Sequence, residues 1–218
     1  MGDTDRHFMK LALQEARKGL GRTSPNPSVG AVVVRNGTIV GKGYHKKAGL
    51  PHAEPNALQA AGPKAKDATI YVTLEPCNHT GRTPPCTRAI LQAGIQRVVI
   101  GMADPNPKVI GSGAEFLASQ GVAITSGVLE HECCELNRPF IKHATTGLPW
   151  VIMKAGMSMD GRIAAGIGRR TAITGPESLR QVHLLRDRVD AILIGVETAI
   201  TDDPSPTAQP GYQPAAFA

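Results

Sequence analysis

The chain has 218 residues, of which 41% are hydrophobic and 4% aromatic, and it carries a formal net charge of +6. No apolar run reaches the ~18 residues a membrane helix needs, and the opening "MGDTDRHFMK" lacks an apolar signal-peptide core, so a cytoplasmic setting is expected and no membrane partner. The basic residues are scattered and aromatics scarce, which leaves little stacking surface for nucleic acid, so the positive charge reads as suited to a phosphorylated metabolite or to nothing specific.

In chain order, "TDRHFMKLALQEARKG" places Phe8, Leu11, Ala12 and Ala16 on one helical face, with Gly19 as a stop. "VGAVVV" and "TIVGKG" flank Asn36-Gly37 and read as a β-hairpin. A helix is expected over Ala53–Ala61 and a strand over Thr69–Leu74, then a helix from Cys86 to Ala93 and a strand over Arg97–Ile100. A helix over Gly113–Gln120, a strand over Val122–Thr125 and a long helix over Leu129–Thr145 complete the set. A hairpin followed by β/α units implies an α/β fold, a mixed sheet covered by helices on both faces. "TTGLPW" then joins a glycine and a proline past the last helix, and "WVIMKA" begins as a fresh strand. The expected division is a domain over 1–145, a linker over 146–149 and the start of a second domain over 150–218.

Chemistry concentrates in the first domain. "PHAEPNAL" sets His52 and Glu54 at a helix start, with Pro55 in the first turn where its missing N–H costs little. Downstream, "VTLEPCNHTGRTPPCTRAIL" carries Cys77 and Cys86, each directly after a proline. Cys86 is expected in a first helical turn, where free N–H groups stabilise a thiolate. In a cytoplasmic chain the four cysteines read as thiols or metal ligands rather than disulfides. His52, Cys77 and Cys86 are three zinc ligands with a fourth position open, the arrangement of a catalytic site. His79 as a fourth ligand would instead close the site and make it structural. Zinc nucleobase deaminases use one His, two Cys and a non-ligand Glu that shuttles protons, and Glu54 suits that part. Cys133-Cys134 read as packing residues.

The two cysteines are separated by eight residues, Asn78–Pro85, where the general signature has two. With that spacing, "SPNPSVGAVVV", "GKGYHKKAGLPHAEPNAL", "TLEPCNHTGRTPPCTRAI" and "ADPNP" closely resemble the deaminase domain of the bifunctional riboflavin-biosynthesis deaminase/reductase family. "MKAGMSMDGRIA" and "DAILIGVETAITDDP" resemble the opening of that family's reductase domain. The resemblance implies a cytidine-deaminase-like fold followed by the start of a dihydrofolate-reductase-like domain. It implies zinc as cofactor, and as substrate 2,5-diamino-6-ribosylamino-4(3H)-pyrimidinone 5′-phosphate, losing its ring 2-amino group as ammonia. It also places Asn26, His45, His79, Arg82, Asp104 and Asn106 around that substrate, Arg82 being a sensible phosphate ligand.

For the second domain the resemblance implies NADPH, with Gly156, Thr198 and Asp202 on the cofactor side and Arg186 on the substrate side. Arg170, Ala172, Pro206 and Gln209 depart from the family's usual residues, and the Gly-rich segment expected to hold the NADPH pyrophosphate is absent. Deaminase activity without reductase activity is therefore expected of this chain. A half-sheet would leave apolar strands such as "DAILIGV" with an uncovered face, so this region is expected to be poorly stable alone or buried in a homo-oligomer.

Overall fold

The computed structural model describes residues 2–81, 83–106, 112–166, 171–205 and 207. The chain divides into two compact units, Met1–Trp150 and Val151–Ala218.

The first unit opens with α1 (Asp3–Arg17), which buries Phe8, Met9, Ala12, Leu13 and Ala16. Leu11, expected on that face, is only half-buried, because the buried stripe runs through Met9 and Leu13. β1 (Gly30–Arg35) and β2 (Thr38–Tyr44) form the hairpin. Asn36 and Gly37 both have positive φ, 49° and 74°, as a two-residue primed turn requires.

Next come α2 (Ala53–Ala61), β3 (Thr69–Leu74), α3 (Cys86–Gln92), β4 (Arg97–Met102), α4 (Gly113–Ser119) and β5 (Ala123–Thr125). The sheet order is β2-β1-β3-β4-β5. The pairs β1/β2 and β1/β3 are antiparallel, β3/β4 and β4/β5 parallel. α3 and α4 supply the crossovers that parallel neighbours need.

Helices cover both faces. Gly30 approaches Ala12 and Ala16 of α1, while Gly43 approaches Ala53 and Ala57 of α2. Gly30 pairs with Tyr44 in the ladder, so Gly30 and Gly43 face opposite ways under the twofold repeat of a strand. A sheet covered twice needs strands apolar on both sides. Val32, Val33, Val72, Val98 and Val99 are accordingly fully buried, each worth roughly 1.5–3 kcal/mol of burial.

The helix expected over Leu129–Thr145 is two helices, α5 (Glu130–Leu136) and α6 (Arg138–Thr146). The break is Asn137, at φ −110° and ψ 18°. Its buried side chain is engaged elsewhere: Oδ1 accepts from Ser28 N at 2.8 Å and Nδ2 donates to Ser28 O at 3.1 Å. That tie fixes the loop leading into β1. Gly147 ends α6 in the left-handed region, at φ 71°.

The second unit differs from expectation. Its described elements are α7 (Pro176–Arg186) and α8 (Val196–Asp202). Neither "WVIMKA" nor "DAILIGV" forms a strand among the described residues. Strand propensity becomes a strand only where a partner ladder takes the backbone N–H and C=O groups. The apolar side chains of these segments remain outward: Val151 is 80% exposed, Met153 92% and Leu193 98%. No helix among the described residues is long and apolar enough to cross a membrane.

Candidate metal centre and active site

His52 is the N-cap of α2 and Glu54 lies in its first turn. Cys77 follows the end of β3, and Cys86 opens α3 behind Pro85. The fold brings these separate starts together. His52 Nδ1 lies 3.2 Å from Cys86 Sγ and 3.6 Å from Cys77 Sγ. The three donor atoms all lie within 4.8 Å of one another. Tetrahedral zinc with its usual bond lengths puts a His nitrogen and a Cys sulfur about 3.6 Å apart, so the triad fits the metal. His79 is exposed and stands outside this donor set, which among the described residues is His52, Cys77 and Cys86.

The protons of the cluster are arranged by these contacts. A hydrogen bond from the Cys86 thiol holds Cys77 well below the usual thiol range, helped by His52 and the Cys86 N–H. Donating that hydrogen bond, with burial second, pushes Cys86 up. The hydrogen bond with Cys77 raises His52. The free N–H at the start of α3, Cys86 N, points at Cys77 Sγ from 3.4 Å, so the helix start stabilises negative charge on Cys77 as well. Glu54 is 3% exposed, and burial, with the Cys77 thiolate second, pushes its carboxyl up to about 7.

These groups open onto a cavity of about 380 Å³, within the range that accepts a small molecule. Asn26, His45, His79, Asp104 and Asn106 line it together with His52, Glu54 and Cys77. His45 Nδ1 faces Pro51 O at 3.2 Å and Nε2 faces Asn26 Nδ2 at 3.1 Å. With Nδ1–H donating to the carbonyl, Nε2 accepts from the Asn26 amide, and the Asn26 amide oxygen is left for donors on a ligand. Burial holds His45 below its ordinary pKa, in keeping with that neutral tautomer. Arg82 lies outside the described residues.

Sequence reasoning missed Glu75, Leu50 and Phe140, all of which line the cavity. Glu75 stands two residues before Cys77, which was the available signal. Phe140 lies on α6, and no local pattern marks it.

In the second unit, Gly156 stands in unpaired backbone and Thr198 on α8. Asp202 closes α8, its side chain outside the described set. Arg186 ends α7 and donates to Ser205 O at 3.2 Å. No hydrogen bond joins Gly156, Thr198 and Arg186 among the described residues.

Residues 3–102 match the cytidine and deoxycytidylate deaminase zinc-binding region, and residues 149–216 match the RibD C-terminal domain. The riboflavin biosynthesis protein RibD of Aquifex aeolicus is 51% identical over 95% of this chain. The chain belongs to the RibD family. A solved Acinetobacter baumannii RibD aligns with a TM-score of 0.89 and 42% identity over 94% of the chain. A Thermotoga maritima structure, described as a diaminohydroxyphosphoribosylaminopyrimidine deaminase/5-amino-6-(5-phosphoribosylamino)uracil reductase, aligns with a TM-score of 0.88 and 44% identity over 92% of it. The chain spans 58% of the length of each of these three relatives. The two matched regions, 3–102 and 149–216, agree with the expected deaminase domain followed by the start of a reductase domain.

Proposed function

We propose that the first unit hydrolytically deaminates a phosphorylated pyrimidine, and specifically 2,5-diamino-6-ribosylamino-4(3H)-pyrimidinone 5′-phosphate. The observation that carries this reading is the meeting of a His–Cys–Cys donor set and a buried carboxyl, Glu54, at one cavity. His52, Cys77 and Cys86 would hold zinc, which would supply the Lewis acidity that lowers the pKa of water toward ~7.

The chain's own residues do the rest. A carboxyl with a pKa near the working pH both takes and gives a proton readily. Glu54 accepts one proton of the attacking water and hands it to a ring nitrogen so that the adjacent carbon becomes electrophilic. It then takes the remaining proton of the added hydroxyl, as the carbonyl forms and the C–N bond breaks, and delivers it to the departing amine. Asn26, oriented by His45, offers its amide oxygen to the amino groups of the ring. Asp104, Asn106 and His79 form the remaining polar wall, and Arg82 takes the 5′-phosphate. Leu50, Leu74 and Phe140 give the ring an apolar surface and exclude water from part of the cavity.

The reading extends to a cytoplasmic setting and to a homo-oligomer, the latter supported by the exposed apolar side chains of the second unit. It does not extend to NADPH-dependent reduction by this 218-residue polypeptide. The test is ammonia release by zinc-loaded protein from the phosphorylated diaminopyrimidine beside cytidine, guanine and adenosine. Turnover of the first alone is expected, and turnover of cytidine alone would overturn the substrate assignment.

A further inference from the structure

We propose that Glu75 is the positioning residue for the cavity wall that Asp104 and Asn106 provide, acting as a clasp on both ends of the β4–α4 connection. The proposal rests on the deaminase reading above for its kinetic consequence, and on geometry alone for the clasp.

Glu75 is the first residue after β3, and its N–H donates to the O of Met102, the last residue of β4, at 3.0 Å, carrying the pairing one step beyond β3. The backbone at this point is therefore fixed, and the side chain has a defined origin. Oε2 accepts from Asp104 N at 3.3 Å, where the chain leaves β4. Oε1 accepts from Ser112 Oγ at 2.7 Å and from Ala114 N at 3.0 Å, where the chain enters α4. One carboxylate thus holds the exit of one element and the entrance of the next.

The backbone beside it is equally constrained. Pro76 O sits against Gly113 so closely that a Cβ on Gly113 would overlap it. Only glycine lets α4 begin there, with its first N–H groups within reach of Glu75.

The grip passes on to the cavity. Asp104 Oδ1 accepts from Asn106 N at 2.9 Å, so fixing the Asp104 backbone also fixes Asn106, and both line the cavity with Glu75. The oxygens of Glu75 are engaged by protein donors, so its effect on a ligand runs through Asp104 and Asn106. Charge-assisted bonds to one carboxylate are short and directional, which makes it a better strut than a neutral side chain. An amide in its place keeps one acceptor oxygen for the α4 side and turns an N–H donor toward Asp104 N, which breaks the link to the wall.

The experiment compares zinc-loaded wild type with Glu75→Gln, each also in an Asp104→Ala background. Glu75→Gln is expected to raise KM about 10-fold with kcat within about threefold, since small misplacements of positioning groups are costly, and with zinc content unchanged. In the Asp104→Ala background the same substitution is expected to move KM by less than about twofold, the non-additivity of residues acting as a unit. Amide hydrogen exchange at Asp104 and Asn106 is expected to quicken about 10-fold in Glu75→Gln while the α2 amides stay as in wild type, as for a local opening. Wild-type exchange at Asp104, or an undiminished KM effect in the Asp104→Ala background, would overturn the proposal. A wild-type chain without deaminase activity would overturn the function instead, and the exchange comparison would still decide the clasp.

Discussion

Cys86 N donates to Cys77 Sγ across 3.4 Å, so the helix that presents one candidate ligand also stabilises the thiolate of the other. The prolines before both cysteines stiffen the chain on each side of that contact.

Purified protein is accordingly expected to hold about one zinc per chain, the ordinary stoichiometry of a His–Cys–Cys site. Alanine at His52, Cys77 or Cys86 should lose metal and activity together. Metal analysis checks this, and full zinc in Cys86→Ala would remove that residue from the ligand set.

A second expectation concerns stability. Asp5 at the start of α1 accepts from Arg97 Nη1 at 3.0 Å and Nη2 at 2.8 Å, and from Tyr71 Oη at 3.0 Å. The Arg97 guanidinium, with Tyr71 adding, holds its carboxyl below the usual range despite partial burial. Burial, with Asp5 second, pushes Tyr71 up to about 12, so its hydroxyl remains a donor. Asp5→Asn should cost about 1–2 kcal/mol near neutral pH, the scale of hydrogen bonds to a charged group discounted for the partly exposed arginine. Because the folded pKa lies below the unfolded ~3.9, this contribution is full above that value and fades as pH falls through the folded pKa. Denaturant midpoints of both proteins across pH 3–8 check it. A gap between them that grows toward acid would contradict the assignment.

Arg82→Ala should weaken use of the 5′-phosphorylated substrate much more than of its dephosphorylated analogue, because a guanidinium fork pairs with phosphate oxygens. Equal losses on the two substrates would place the phosphate elsewhere.

Supplied with the deaminated pyrimidine and NADPH, this chain should leave the nicotinamide absorbance band unchanged. Clear oxidation would show that the second unit forms a working cofactor site.

Much of the first unit was legible in the sequence, and the reasons are local. The Asn36-Gly37 turn, the bounds of α2 and β3, and the clustering of His52, Cys77 and Cys86 follow from turn chemistry, periodicity and ligand type. What escaped depends on contacts distant in sequence. Pro139, in the first turn of α6, is a local signal for the break at Asn137, but the tie between the Asn137 amide and Ser28, 109 residues away, is not. Glu75 looks like any carboxylate at a strand end until donors from Asp104, Ser112 and Ala114 converge on it. Cys86 opens a helix as expected, and the N–H there also serves Cys77, a contact no local pattern marks. The apolar runs of the second unit carry strand propensity, yet among the described residues they find no ladder to join.

The central claim is that a buried Glu54 moves the proton while its neighbours hold zinc. The most direct measurement is the rate of ammonia release by Glu54→Gln protein whose zinc content and fold match wild type. A loss of at least ~10²-fold is predicted, the usual contribution of a positioned acid/base. A rate near that of wild type would contradict it.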